Sequence, residues 1–283
     1  MPFDHNLIPK LVNQDTVAGV EIIIKELKNK KPVVVDFGAT LGTWFKADGK
    51  LRFDIGTARN EPPDNNAVVS IISTDTSTTL ELINLNKIHP IIRDKLRELI
   101  AKTKDLTFLR CPPSVSGKKL KPVFATSNYI QIWTLRKSPL TQKLIDEKLN
   151  ITAVRSGNIH NHPEATTLGE AGNYALAIGA PVIAYSSAVD ESKRVKKGSQ
   201  PILNIPAYEY NDEGIGPATI EQVREGNFGH KTMQRFIHGI IPGCNVILIE
   251  EKPVDYRHAY DSPDNITGSD EIRNDQLKAA GLL

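Results

Sequence analysis

From Asp15 onward the apolar positions fall into alternating helical and strand rhythms. Val17, Val20, Ile23, Ile24 and Leu27 recur at three- and four-residue spacing, predicting a helix capped by Asp15 and ended by Asn29-Lys30-Lys31-Pro32. PVVVDF follows, a nearly continuous apolar run of the kind that sits centrally in a sheet, covered on both faces. After GATLGTW a turn is expected at Asp48-Gly49, and RFDIGTAR runs into the turn signal Asn60-Glu61-Pro62-Pro63-Asp64. AVVSIIS is the next buried strand. Ile88, Ile91, Ile92, Leu96, Leu99 and Ile100, set among Lys, Arg and Glu, predict an amphipathic helix over 84–102, whole or broken at Pro90. DLTFLR, YIQIWTL, ITAVRS, PVIAYSS and PILNIP read as strands, CPPSVSGKKLKP as a loop, residues 139–149 and 167–178 as helices, and TIEQVREG as an extended piece. NVILIEE is a late strand candidate, and SDEIRNDQLKAAGLL a C-terminal helix with a partial capping box at Ser269. Strands alternating with helices predict an α/β protein that holds its ligands in loops at strand ends, and the loop after ITAVRS is such a place.

Composition narrows the classes without choosing among them. The chain has 283 residues, 40% hydrophobic and 24% charged, which suits an ordinary globular protein able to bury a core without disulfide or metal staples. Cys111 and Cys244 give neither a zinc spacing nor a secreted disulfide framework, so a reducing, cytoplasmic location is expected. No basic and apolar leader opens the chain, and no run of about 18 apolar residues crosses a membrane. The net charge of +2 predicts no polyanion partner by itself. Two local clusters, Lys118, Lys119 and Lys121, then Lys193, Arg194, Lys196 and Lys197, read as solvated loops, with phosphate contact as the alternative.

The stretch TAVRSGNIHNHPEATT, residues 152–167, draws attention through its histidines. In an extended segment His160 and His162 share a face, which gives two ligands of a metal site. The sequence places no third, and no metal is expected.

The same stretch resembles the S-A-N-x-S-G-x-P-x-x-T-T segment of the YrdC-like family, best known for threonylcarbamoyl-AMP synthases, with Ser156, Asn158, Pro163, Thr166 and Thr167 in register. Around it the family's order recurs. The first helix and VVVDFGATLGTWFKAD resemble the opening helix, strand and Y-P-T-[DE]-T-x-Y-G-L. TARNEPPDNNAVVSII resembles K-x-R with its proline turn and strand, KDLTFL resembles P-G-P-L-T-[LF], and IQIWTLRKSPLTQKLI resembles the strand, proline turn and helix that come next. SQPILNI and EQVREG resemble S-T-[VI]-V-D and [IL]-x-R-x-G.

The resemblance implies a single twisted mixed sheet flanked by helices, YrdC/RibB-like, over residues 1–230, with 231–283 as a short C-terminal extension of strand plus helix. That extension is left open between covering the cleft and mediating a homodimer. The resemblance also implies a nucleotidyltransferase that binds ATP, with Mg2+ as accompanying ion, and uses bicarbonate and an amino acid or other acceptor to form a carbamoyl- or acyl-adenylate. Such chemistry asks for positive charge and hydrogen-bond donors around a triphosphate and for no covalent nucleophile. Carried over residue by residue, Arg59 matches the K-x-R arginine, Ser156 and Asn158 match the SxN pair, and Arg224 matches the later arginine. Ser199 or Gln200 matches the first residue of S-T-V-V-D. Arg136 stands two residues beyond the V-R-x-P arginine position, which is Thr134. His160, in place of the family's serine, is a candidate proton donor or base. Thr57 replaces the K-x-R lysine, and Ala39-Thr40-Leu41-Gly42-Thr43 lacks the carboxylate and ring of the family's amino-acid pocket, so the acceptor is expected to differ from threonine. Leu41 and Trp44 suit either a less polar acceptor or a filled-in pocket. A non-catalytic relative that binds double-stranded RNA or tRNA through the basic clusters is the alternative.

Overall fold

The computed structural model describes residues 8–38, 41–62, 69–120, 124, 128–160, 164–189, 200–209, 216–224 and 229–249. In chain order the elements are β1 (Lys10–Asn13), α1 (Val17–Lys28), β2 (Val33–Asp36), β3 (Leu41–Lys46), α2 (Gly49–Ala58), β4 (Ser70–Ser73) and α3 (Thr76–Glu81). A 3-10 turn (Leu85–Lys87) leads to α4 (Pro90–Thr103), β5 (Phe108–Cys111), α5 (Val115–Lys119), β6 (Ile130–Thr134), α6 (Pro139–Asp146) and β7 (Ile151–Ser156). The remaining elements are α7 (Leu168–Ala177), β8 (Val182–Tyr185), β9 (Ile202–Asn204), β10 (Thr219–Arg224), α8 (His230–Ile240) and β11 (Asn245–Leu248).

Among the described residues eleven strands join one open mixed sheet in the order β1-β8-β2-β3-β7-β4-β6-β5-β9-β10-β11. Around the middle, β2–β3, β3–β7 and β7–β4 are antiparallel, whereas β4–β6 is parallel. Alternation along each strand sends successive side chains to opposite faces. Val33, Val35, Trp44, Val154, Ile72 and Trp133 share one face, covered by α1 through Ile23, Ile24 and Leu27 and by α6 through Leu140 and Leu144. Phe45, Ala153, Ile71, Ile132, Leu109 and Leu203 share the other with Ile55 of α2, Leu96 and Leu99 of α4, and Met233 and Ile237 of α8. A third group, Val34, Leu41 and Ile183, lies under Ala171, Tyr174 and Ala175 of α7. The sheet curls: β3 and β6 are separated by β7 and β4, yet the Phe37 ring lies 6.0 Å from Trp44 and 4.7 Å from Trp133, centroid to centroid.

The mixed sheet flanked by helices is as the resemblance implies, and every residue of β2 is buried, as its apolar run predicts. The helix over 84–102 is broken at Pro90, which opens α4 as its first residue, where its missing N–H removes no intrahelical bond. Two local expectations are corrected. Thr16 caps α1 by accepting from the Gly19 amide, while Asp15 accepts from the hydroxyls and an amide of Ser186 and Ser187. The segment after Cys111 contains α5, nucleated by the Ser114 hydroxyl accepting from the Gly117 amide. Downstream of residue 230, α8 packs on α4 and β11 pairs in parallel with β10, so both sit in the same core as the preceding strands. The expected helix near 269–283 lies outside the described residues.

Candidate functional site

Strand β7 delivers Ser156 at its end, and the chain then crosses close beneath β3. A Cβ on Gly157 would meet the Leu41 carbonyl oxygen at 2.1 Å, so glycine is required between Ser156 and Asn158. Two backbone bonds close the loop: Ala165 N–H donates to Gly157 O at 2.9 Å and Leu41 N–H to Ala165 O at 3.0 Å. Thr167 and Glu170 then form a capping box that starts α7.

Arg59, the C-cap of α2, reaches into this loop from nearly a hundred residues away. Its Nε donates to Asn158 O at 2.7 Å, and its Nη2 to Asn158 Oδ1 at 3.0 Å and Ser156 Oγ at 3.1 Å. The His160 amide donates back to Arg59 O at 2.8 Å. Arg59 is 4% exposed and Asn158 5% exposed, so these are buried, charge-assisted bonds, each worth roughly 1.5–3 kcal/mol. The structure thus brings together Arg59, Ser156, Asn158 and the backbone of His160.

Behind the loop lies a layer that the sequence reading missed. Arg155 Nη1 donates to Glu61 Oε2 at 2.6 Å, Arg59 Nη1 lies 3.2 Å from Glu61 Oε1, and Arg52 approaches the same carboxylate at 3.9 Å. Burial, then the positive charge of Arg59, push the Arg155 guanidinium down to about 10; Glu61 opposes this and Arg52 adds to it. Tyr174 of α7 shares a short hydrogen bond with Thr43 and donates to Ser156 O at 3.4 Å. Its burial raises the phenol, against the lowering influence of Arg59. A charge inside the apolar strand ITAVRS was the available signal for Arg155. Glu61 had none beyond its place in a turn.

The other expected residues lie elsewhere. Strand directions put Arg136, just past β6, and Arg224, at the end of β10, at the opposite strand end from Ser156. Arg224 donates to Gln200 O through Nε at 2.9 Å and Nη2 at 2.6 Å. It thus meets the segment expected to hold Ser199 or Gln200, although Ser199 itself lies outside the described residues. Arg136 is half-exposed, with Nε 3.6 Å from Asp105 Oδ2, and it borders a cleft of about 250 Å3 lined by Phe37, Trp44, Trp133, Leu135 and Ser138. Burial raises the Asp105 carboxyl, opposed by the Arg136 amide that Oδ1 accepts at 3.0 Å.

Leu41 and Trp44 are core side chains, 0% and 1% exposed, and the Trp44 indole donates to Thr152. Ala39, Thr40 and His162 lie outside the described residues. Of the basic clusters, Lys118 and Lys119 belong to α5, whereas Lys121, Lys193, Arg194, Lys196 and Lys197 lie outside the described residues. Among the described residues no three His, Cys, Asp or Glu side chains gather as a metal site, and no helix is long and apolar enough to cross a membrane.

No family profile and no curated protein matches the sequence. Solved structures do match in fold. The chain is similar to Sua5 of P. abyssi, a YrdC-family protein, solved as a doubly substituted variant, with TM-score 0.60 at 16% identity over 84% of this chain and 65% of that one. The L-threonine complex of P. abyssi Sua5 gives 0.59 at 14% identity, over 84% and 62%. E. coli YciO gives 0.55 at 11% identity, over 77% of this chain and 96% of YciO. The chain therefore has the YrdC-like fold in divergent form, and it spans less than two thirds of the Sua5 chains.

Proposed function

We propose that the chain is a nucleotide-binding protein that forms a carbamoyl- or acyl-adenylate from ATP, with an acceptor other than threonine. The observation that carries this reading is the cross-tie of Arg59 to Ser156 and Asn158, residues of the two segments that most resemble the family's nucleotide site. Similar folds are solved with ligands of the matching kinds: HypF in a phosphate- and nucleotide-bound form, TM-score 0.55 at 13% identity over 73% of this chain and 24% of that one, and Sua5 with L-threonine. In this reading Ser156 and Asn158 present a hydroxyl and an amide from a strand end, held by Arg59, and His160 supplies an imidazole beside them. Of the further phosphate contacts that the resemblance implies, Ser199 lies outside the described residues, and Arg136 and Arg224 are not part of this cluster, because they lie at the opposite strand end from Ser156. Mg2+ would arrive with the nucleotide's phosphates, which supply most of its oxygen ligands in such sites. Bicarbonate is the second substrate if a carbamate is the group adenylated.

The acceptor differs because the side chains at its expected place are committed to the core. Leu41 packs beneath α7, and the Thr43 hydroxyl is bonded to Tyr174. A site that loses its polar partners loses selectivity for a polar substrate.

Calorimetry with ATP and AMP, followed by pyrophosphate release screened across amino acids with bicarbonate present, tests the reading. Heat of binding with ATP, weakened by Asn158→Ala, is expected. Absence of any ATP binding by folded protein removes it. The same titration with duplex RNA across a salt series tests the alternative, for which affinity must fall as salt rises.

A further inference from the structure

Glu61 is surrounded by positive charge. Its side chain is 2% exposed and faces Arg155 and Arg59, themselves 11% and 4% exposed, so among the described residues one buried carboxylate stands between two guanidiniums, with Arg52 3.9 Å away. In a poorly solvated place two cations sharing one carboxylate carry a standing electrostatic cost, and Arg155 is lowered first by its burial and then by the charge of Arg59. The hydrogen-bond geometry adds a second, independent sign. Arg59 uses Nε and Nη2 on the loop, which leaves Nη1 as its one uncommitted nitrogen. That Nη1 and Glu61 Oε1 lie 3.2 Å apart, yet both are buried without a hydrogen-bond partner, because the approach is misaligned. A buried N–H without an acceptor costs about 1–3 kcal/mol, more when charged. Glu61 thus accepts from Arg155 and balances charge without satisfying Arg59 Nη1.

We propose that Glu61 is a displaceable internal counter-ion, and that the place its carboxylate holds takes the phosphate oxygens of an anionic ligand on Arg59 and Arg155, with Arg52 alongside. Several oxygens at tetrahedral angles can meet Nη1 of Arg59 and Nη1 of Arg155 together, which the planar carboxylate on its short tether does not. A terminal phosphate brings more negative charge than the carboxylate it displaces, which offsets more of the guanidinium charge, while the ligand works against the contact that it replaces. For a nucleotide this rests on the reading proposed above; for free pyrophosphate it does not. The affinity of the intact protein is held down by competition from its own carboxylate.

The test compares the full chain with Glu61→Gln and Glu61→Asp, titrated with inorganic pyrophosphate and separately with ATP at constant ionic strength, with the melting temperature followed in parallel. Glu61→Gln keeps the shape and removes the charge. It is expected to melt lower than the parent in anion-poor buffer, to bind pyrophosphate about tenfold more tightly, and to regain stability as pyrophosphate is added. Glu61→Asp, with a shorter reach, is expected in between. Pyrophosphate binding by folded Glu61→Gln that is equal to or weaker than the parent's overturns the proposal. Should Glu61→Gln fail to fold even with pyrophosphate present, Glu61→Asp decides, and binding no tighter than the parent's overturns it. The two ligands separate this idea from the broader one. ATP binding equally well to parent and Glu61→Gln sinks the counter-ion and keeps the nucleotide reading. Pyrophosphate tightening in Glu61→Gln, with ATP binding to neither protein, keeps the counter-ion and sinks the nucleotide reading.

Discussion

Two of the arginines that the resemblance singles out, Arg59 and Arg136, sit in opposite physical circumstances. Arg59 is buried at the end of α2, with two of its nitrogens bonded to one loop and the third facing a carboxylate. Arg136 is half-exposed beside an open cleft, its Nε 3.6 Å from Asp105, close enough for attraction and too far for a hydrogen bond. Burial turns a functional candidate into a structural one as well: removing Arg59 takes hydrogen bonds from Ser156 and Asn158 and a counter-charge from Glu61. Exposure leaves Arg136 free to change partner at little cost to the fold. The same residue type therefore supports different experiments in the two regions.

The widest separation is expected from the partner carboxylates. Glu61→Ala leaves buried guanidiniums without their counter-ion and is expected to destabilise by about 3–5 kcal/mol, whereas Asp105→Ala in the cleft is expected to change stability by less than about 1 kcal/mol. Urea denaturation of both checks this, and similar midpoints would erase the distinction. Next comes the loop itself. Gly157→Ala places a Cβ 2.1 Å from Leu41 O, and the forced backbone shift is expected to cost about 1–3 kcal/mol and to loosen the bonds from Arg59. A melting temperature equal to the parent's would show that the loop yields freely.

A smaller effect is expected at the cap that follows. Burial raises the Glu170 carboxyl, but the amides of Thr166 and Thr167 and the two threonine hydroxyls outweigh it and hold it below the usual glutamate range. Because the folded value is depressed, the stabilisation is fully present above the unfolded glutamate value and is lost as pH falls through the folded one. Glu170→Ala is expected to lose about 1 kcal/mol at neutral pH, with the difference from the parent shrinking in acid, as melting curves from pH 7 to 3 would show. The smallest effect on stability is at Arg136→Ala, within about 0.5 kcal/mol, while ATP affinity falls if the guanidinium meets a phosphate. Loss of stability without loss of affinity would assign Arg136 to the fold.

Much of the scaffold was legible because burial leaves a periodic trace. The apolar run of β2, the stripes of α1 and α4 and the break at Pro90 are readable without tertiary information. Helix α3, with sequence TSTTLE, has no apolar stripe and stands on its Asp75 cap, which accepts from the Thr78 amide. Helix α8 carries Met233, Ile237 and Ile240 at helical spacing, but Gly229 offers no side-chain cap to mark its start. Strand β1 is four residues long at a sheet edge, too short to alternate convincingly.

Local order along the chain determined the candidate pair Ser156 and Asn158 and its likeness to a known segment, because strand-end loops keep their residue spacing. Tertiary structure alone decided which side chains answer them. Arg59, Glu61 and Arg155 meet across about a hundred residues because β3 pairs with β7 and α2 packs against that side of the sheet. A burial pattern records which face each residue occupies. It does not record the partner that awaits there, and for buried charges the partner decides the chemistry.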